Sequence, residues 1–216
     1  MSGARLTGTG LLADDLFLMA HNDRTGRPLL QPRAAGLGLA GALLAELTLL
    51  GNVQLSPGGI TVLDLSAPAE ELALRVLRLL LAEREQLPVR AWLLFLAGTA
   101  ARDVAGRLER AGYLVPGRPR RPWHTQRWVP VDADCAFAPV TRVQAALRSP
   151  ARATAQGVTL AGLANACGLG SHLAQYLPAN AAGHLRAAVE QLDPGLREVI
   201  TQTQAAVDSA VLAHRA

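Results

Sequence analysis

An arginine-rich segment with interleaved aromatic residues offers the clearest chemistry in this sequence. The segment RPRRPWHTQR, residues 118–127, holds four arginines and no acidic residue: Arg118, Arg120, Arg121 and Arg127. A guanidinium binds phosphate and carboxylate oxygens through a planar fork of N–H donors. Trp123 and Trp128 belong to a residue type that lies at membrane interfaces or stacks on bases. The segment therefore predicts an anion-binding surface with membrane-contacting tryptophans; a solvated loop stiffened by prolines is the alternative.

The basic charge of the chain is concentrated in this segment. All 21 basic residues are arginine, and 17 acidic residues leave a formal net charge of only +4. The four arginines of residues 118–127 equal that excess, so the basicity is local.

A glycine motif elsewhere matches a cofactor fingerprint. GLGLAG, residues 36–41, has the G-x-G-x-x-G spacing of dinucleotide-binding loops, and Asp64 follows a strand further on. A true fingerprint needs a buried strand before the first glycine, yet residues 31–35 contain a proline and a charge. The two following strands also read as a hairpin rather than a parallel crossover. Helix packing by small residues is the favoured interpretation, and a dinucleotide-binding enzyme is the third alternative for function.

Other polar residues do not form a catalytic or metal-binding pattern. His172 and His184 lack the spacing of a metal pair, and the sequence around residue 171 lacks the G-x-S-x-G nucleophile motif. Asp14 and Asp15 are adjacent, so on a helix they point apart. Asp132 and Asp134, expected on a strand, have no basic partner nearby, and the cysteines have no ligand spacing. We therefore expect no enzyme, no metal and no cofactor.

The bulk composition indicates a folded protein of the cytoplasm. The chain has 216 residues, 50% of them hydrophobic, with a mean hydropathy of +0.20. No apolar run approaches the roughly 18 residues needed to span a bilayer. The acidic residues near the N-terminus argue against a secretion signal.

Periodicity predicts a mainly α protein, a single-domain helix bundle decorated with short β-hairpins. Residues 1–10 are expected to be flexible and residues 11–216 to form the domain. Helices are predicted over residues 11–20, 36–50, 68–86, 89–97, 99–112, 141–147, 160–177, 182–192 and 196–214. Two hairpins, with strands at 53–55 and 60–63 and at 113–115 and 127–131, each follow a helix. Pro28 and Pro32 are expected to keep the intervening segment extended.

Three stretches resemble the Golgi phosphoprotein 3 family. They are LLADDLFLMAHNDRTGRPLL, GLGLAGALLAELTLLGNVQL and RDVAGRLERAGYLV, at residues 11–30, 36–55 and 102–115. They are similar to the family's leucine-rich helix with an Asp-x-x-Gly turn, its glycine-rich helix, and its helix before a hairpin. The resemblance implies a helix-bundle domain that binds phosphatidylinositol 4-phosphate at a membrane surface without catalysis.

The resemblance also locates the family's headgroup pocket, whose residue types differ here. Aligning ELTLLG on the family pattern puts the pocket tryptophan and arginine positions at Gln31 and Ala40, and the two basic positions near Gly98 and Ala101. We expect the residues 118–127 segment, with Arg33 and Arg102, to bind the anionic phospholipid instead. The predicted protein is cytoplasmic and peripheral at the membrane.

The sequence leaves two further kinds of partner open. The helix and hairpin over residues 103–131 also resemble a winged helix, which would bind a nucleic-acid backbone. Asp103 and Glu109 offset the arginines of that helix, so nucleic acid is the disfavoured alternative. A homo-oligomer is possible through the unpaired edge of the first hairpin, and the sequence indicates no particular protein partner.

Overall fold

The computed structural model describes residues 9–117, 127–149 and 153–215 and confirms a mainly α single domain. Its helices are α1 Leu12–Met19, α2 Pro32–Leu49, α3 Glu71–Ala82, α4 Val89–Arg110, α5 Ala133–Arg148, α6 Ala155–Ala166, α7 Gly170–Leu173, α8 Ala181–Glu190 and α9 Pro194–Arg215. A 3-10 turn over Ala174–Tyr176 follows α7. The strands are β1 Val53–Ser56, β2 Gly59–Val62, β3 Leu114–Pro116 and β4 Trp128–Pro130.

Both predicted hairpins are present and both are antiparallel. In the first, Val53 lies opposite Val62 and Ser56 opposite Gly59. In the second, Leu114 lies opposite Pro130 and Pro116 opposite Trp128. Each hairpin directly follows a helix that ends at a glycine with positive φ, as the C-terminal glycine of a helix commonly has.

Helix α2 lies at the centre of the bundle, and its glycines allow close packing. A β-carbon at Gly36 would lie 2.7 Å from the carbonyl oxygen of Ala97, and one at Gly41 would lie 2.5 Å from Oγ1 of Thr203. A β-carbon at Gly38 would lie 2.5 Å from Sγ of Cys167. These contacts bring α4, α6 and α9 against α2, which confirms the packing interpretation. No strand precedes α2 among the described residues, and β1 and β2 are antiparallel. The alternative prediction of a dinucleotide-binding fold is therefore wrong.

Helices α2 and α4 run parallel, whereas α1 runs antiparallel to α2. Gly36 contacts Ala97, and ten residues further along both helices Glu46 binds Arg107. The backbone N–H of Ala13 donates to Glu46 at 2.8 Å, so the beginning of α1 lies beside the end of α2. The end of α1, the turn that follows it and the N-termini of α2 and α4 therefore lie at one end of the bundle, here called the N-terminal end.

Several predicted boundaries are wrong. Helix α3 begins at Glu71 and ends at Ala82 rather than spanning residues 68–86, and the helix predicted over residues 160–177 is replaced by α6, α7 and the 3-10 turn. Pro32 begins α2 rather than keeping the chain extended. Proline lacks a backbone N–H, and the first position of a helix does not need one for an intrahelical hydrogen bond. Helix α4 runs continuously through Gly98 and Thr99, where a break between two helices was predicted. Helix α5 begins eight residues before the predicted Thr141, because Asp132 caps it by accepting from the N–H of Asp134 at 2.9 Å.

Helix α9 matches its prediction closely. It begins at Pro194, and Asp193 accepts a hydrogen bond from the N–H of Gly195 at 2.8 Å. Leu196 and Val199 are buried against the core. A cap, a proline at the first position and a regular apolar face therefore located this helix from sequence alone.

Candidate anion-binding surface and a buried charge cluster

The second hairpin packs on the turn after α1 through a backbone contact. Gly26 has a φ of +62°, and a β-carbon there would lie 1.7 Å from the carbonyl oxygen of Trp128. Asn22 shapes this turn, because its side-chain oxygen accepts from the N–H of Thr25 at 2.8 Å. Only glycine fits both the backbone conformation and the contact. The far end of the hairpin is therefore held at the N-terminal end of the bundle.

The described part of the hairpin ends where the arginine-rich segment begins. The N–H of Gly117 donates to the carbonyl oxygen of Arg127 at 2.7 Å, which closes the hairpin beyond β3 and β4. Trp128 is half-buried and packs against the core, so only part of its ring faces solvent. Arg127 is half-buried. The remaining predicted loop residues lie outside the described residues: Arg118, Arg120, Arg121 and Trp123.

The family pocket positions carry no cation, and one of them is closed. Ala40 is completely buried in the core, so it makes no contact with a ligand at the surface. Ala101 is half-buried, whereas Gln31 and Gly98 are exposed. Gln31 caps α2 and Gly98 follows Ala97, the residue against Gly36, so both belong to the N-terminal end of the bundle.

The two predicted arginines outside the loop lie on different helices and in different surroundings. Arg33 is exposed in the first turn of α2, at the N-terminal end. Arg102 is exposed further along α4 and lines a cleft with Arg75 of α3. Neither Arg33 nor Arg127 lines that cleft. The structure therefore brings Arg33 to the same end as the hairpin and places Arg102 in a separate depression.

A buried arginine, which sequence reasoning did not single out as a site, joins four helices. Arg107 of α4 is 5% exposed, and its Nε donates to Oδ1 of Asp14 at 2.8 Å. Its Nη2 donates to Glu46 at 3.1 Å and its Nη1 to Glu70 at 2.9 Å. These partners belong to α1, α2 and the cap of α3. We call Asp14, Glu46, Glu70 and Arg107 the Arg107 cluster.

Burial and pairing oppose each other in the Arg107 cluster. Burial raises the pKa of Asp14 and of Glu46, while the nearby guanidinium partly lowers both. Burial also raises the pKa of Glu70, but hydrogen bonds from the N–H groups of Leu72 and Ala73, together with Arg107, outweigh burial, and the net pKa is lowered. Burial lowers the pKa of Arg107, but the carboxylates of Glu46 and Asp14 raise it above its ordinary value. Arg107 therefore remains charged.

Asp15 forms a second buried ion pair on the other side of α1. Its Oδ1 accepts a hydrogen bond from Nη2 of Arg142 on α5. Burial raises the pKa of Asp15 to about 7, although Arg142 lowers it and Asp14 raises it further. Asp14 and Asp15 thus bind different helices, as their adjacency on a helix predicted. The usable signal in the sequence was the occurrence of acidic residues inside apolar runs, but this pattern does not identify their partners.

Helix α4 does not present the basic face that a recognition helix needs. It packs against α2, α9 and α1, and Arg107 is paired with carboxylates inside the Arg107 cluster. Arg102 and Arg110 are exposed, but each has an acidic neighbour within 3.8 Å. The winged-helix alternative for nucleic acid therefore finds no support in this helix.

The described residues form neither a metal-binding group nor a membrane-spanning helix. No group of three His, Cys, Asp or Glu side chains lies close enough to hold a metal ion. Among the helices that the structure describes, none combines the length and apolar character required to cross a bilayer.

Comparison with protein families decides the relationship. The family model of Golgi phosphoprotein 3 (GPP34) matches residues 12–212, nearly the whole chain. The chain belongs to the Golgi phosphoprotein 3 family. Within this match, the Asp-x-x-Gly turn ends at Gly26, the glycine that admits the Trp128 carbonyl. No curated protein matches the chain significantly.

Proposed function

We propose that this member of the Golgi phosphoprotein 3 family is a non-enzymatic, cytoplasmic protein that binds anionic phospholipid headgroups at a membrane surface. The observation that carries the proposal is the backbone contact between Gly26 and Trp128. It supports the proposal because Gly117 and Arg127, which flank residues 118–126, belong to a hairpin held at the N-terminal end of the bundle, where α2 and α4 begin. Helix N-termini carry partial positive charge, which adds to the attraction for anions.

The strength of this interaction follows from the number of arginines. Near an anionic membrane each arginine contributes about 1 kcal/mol. Four such residues give reversible association rather than permanent anchoring. The attraction is screened over about 8–10 Å at physiological ionic strength, so binding should fall steeply as salt is raised.

The family resemblance names phosphatidylinositol 4-phosphate as the headgroup. Ala40 is closed off in the core, and Gln31, Gly98 and Ala101 carry no charge. We propose that the segment 118–127 replaces these positions, aided by Arg33 at the same end. Recognition by several separate guanidiniums depends on the charge of the headgroup more than on its shape. The protein should therefore prefer phosphatidylinositol 4-phosphate only in proportion to its higher charge.

Sedimentation with liposomes tests the proposal. Vesicles of phosphatidylcholine would carry phosphatidylinositol 4-phosphate, phosphatidylglycerol or cardiolipin at equal total charge. We expect the Arg120→Ala, Arg121→Ala double variant to lose about ten-fold or more in affinity, at about 1 kcal/mol for each arginine. The matched control removes the same charge from exposed arginines of α5 and α8, with Arg148→Ala and Arg186→Ala. Equal binding by the loop variant and the wild type would refute the proposal.

A further inference from the structure

A cleft lies between α3 and α4, separate from the proposed headgroup site. It has a volume of about 270 Å³. Leu43 of α2 lies in its lining with the buried side chains of Val76, Leu96 and Ala100. The ion pairs Glu70–Arg107 and Arg75–Asp103 show that α3 and α4 run antiparallel along it. The interior is therefore a small aliphatic depression between two helices.

The mouth of the cleft leaves large apolar side chains in contact with solvent. Phe95 is 62% exposed and Leu79 is 37% exposed, and both line the cleft. The rings of Phe95 and Trp92 pack edge to face, with their centroids 5.9 Å apart. One side of the Phe95 ring is therefore held by Trp92, while much of the residue faces solvent. An apolar depression with exposed apolar side chains at its rim is typical of a ligand-binding site.

The rim also carries an excess of positive charge. Nη2 of Arg75 lies 2.5 Å from Oδ2 of Asp103, while Nε of Arg102 lies 3.8 Å from the other oxygen. Two guanidiniums thus share one carboxylate. The side chain of Arg102 is 78% exposed and projects a largely solvated cation at the mouth. The cleft therefore combines an apolar interior with a rim that complements an anion.

The chemistry of the walls favours a hydrocarbon chain over a peptide. Both walls are helices, whose backbone N–H and C=O groups are already hydrogen-bonded within the helix. An extended peptide would therefore find no backbone partners. Among the described residues that line the cleft, Thr99 is the one polar side chain outside the charged rim. A hydrocarbon chain needs no such partners. The stretch from Phe95 to Asp103 extends roughly 12 Å along α4.

We propose that this cleft binds an acyl chain of an anionic lipid, with the headgroup at Arg102 and Arg75. This inference rests on the proposed function for its choice of a lipid ligand. It adds a second contact, in which one chain leaves the bilayer for the protein. The cleft would then contribute apolar affinity that salt does not screen.

Titration calorimetry with dodecanoate, below the concentration at which it forms micelles, tests the cleft without a bilayer. We expect the wild-type protein to bind dodecanoate and the Thr99→Trp variant to bind it at least ten-fold more weakly. Thr99 is exposed and lines the cleft, so an indole there fills the mouth without disturbing the core. Leu94→Trp is the matched control, because Leu94 is exposed on the same helix and does not line the cleft.

The role of the rim charge is tested with Arg102→Gln and its control Arg90→Gln. We expect Arg102→Gln to weaken dodecanoate several-fold and to leave the uncharged dodecanol unchanged. Absence of wild-type dodecanoate binding, or unchanged binding by Thr99→Trp, would overturn the inference. So would binding of an acidic amphipathic peptide in place of dodecanoate. Vesicle sedimentation distinguishes a failed cleft from a failed headgroup site. If the wild type sediments with vesicles and only the loop variant, Arg120→Ala, Arg121→Ala, does not, the cleft has failed and the headgroup site has not.

Discussion

Nε of Arg107 donates to Oδ1 of Asp14 at 2.8 Å, inside a core where both side chains are almost completely buried. The pair joins α4 to α1, and the same guanidinium reaches Glu46 and Glu70. A buried charge is tolerated when its partners are present and costs several kcal/mol when one is removed. This contact therefore provides a direct test of what holds the helices together.

Replacing Arg107 with methionine should destabilise the protein by about 3–5 kcal/mol, because Asp14 and Glu46 would be left buried without a cation. The measurement is urea unfolding followed by circular dichroism at pH 7.5. Arg110→Met is the control, because Arg110 is exposed and lies 3.8 Å from Glu71. It should change the free energy of unfolding by less than about 1 kcal/mol. Similar losses in the two variants would contradict the assigned role of the cluster.

Asp15 should make the protein less stable as the pH rises from about 4 to about 7. Its pKa is about 7 in the folded protein, against 3.8 ordinarily, so over this range the folded state binds more protons than the unfolded state. Stability therefore falls with rising pH, by about 1.4 kcal/mol for each unit of pKa difference at most.

The Asp15→Asn variant isolates this effect. It should be more stable than the wild type above pH 7, and the advantage should shrink towards pH 4. Unfolding in urea at each pH unit from 4 to 8 provides the measurement, with Asp208→Asn as an exposed control. Parallel pH profiles for the wild type and Asp15→Asn would show that the carboxyl group of Asp15 does not titrate in this range.

Gly41→Ala should destabilise the protein by about 1–3 kcal/mol, because its β-carbon would overlap Oγ1 of Thr203. The buried Oγ1 has no hydrogen-bond partner among the residues that the structure describes, so Thr203→Ala removes the overlap at little cost. We expect Gly41→Ala and Thr203→Ala together to regain most of the loss in a thermal unfolding experiment.

The comparison for this pair is Gly98→Ala on α4. A β-carbon at Gly98 meets nothing within 4 Å, so this substitution should stabilise the helix by about 0.5–1 kcal/mol. Destabilisation by both glycine variants, without recovery in the double variant, would mean that close packing of α2 on α9 is not the cause.

Gly26→Ala should release the second hairpin from the turn after α1. The substitution combines a strained positive φ with an overlap on the Trp128 carbonyl. Gly112→Ala has a φ of +78° but no neighbour within 4 Å, so it carries the strain alone. Hydrogen exchange at the N–H of Val131, which donates to Tyr113, should quicken much more in Gly26→Ala. Equal exchange in the two variants would exclude the contact as the anchor of the hairpin.

The sequence predicted element types well where local signals agreed. Helix α9 had a cap, a proline and a regular apolar face, and the first hairpin had a Pro-Gly-Gly turn between apolar strands. Helix α4 was divided in two because Gly98 and Thr99 resemble a helix break. Its continuity comes from contacts along α2, such as that of Ala97 with Gly36, and a local reading of the sequence does not see them.

The candidate site was predictable only in part, for a related reason. The arginine-rich segment is visible because its charge is local in sequence. The burial of Ala40 and the ion pairs of Arg107 depend on contacts between helices that are far apart in the sequence. Periodicity indicates that a position is buried but does not identify the residue it contacts. Arg102 is predicted to bind the headgroup together with residues 118–127, and nothing in the sequence indicates that it lines a cleft with Arg75.

The burial of α1 constrains the order in which this chain can acquire its structure. Every residue from Leu12 to Met19 is buried, and Asp15 finds Arg142 only after 127 further residues. A ribosome therefore releases the first helix long before its partners on α5 and α6 have been synthesised. Until then its apolar and acidic side chains face water or a chaperone, and long-range closure of this kind slows folding. Completion of the bundle, and with it the placement of its N-terminal end, must wait for the C-terminal half of the protein.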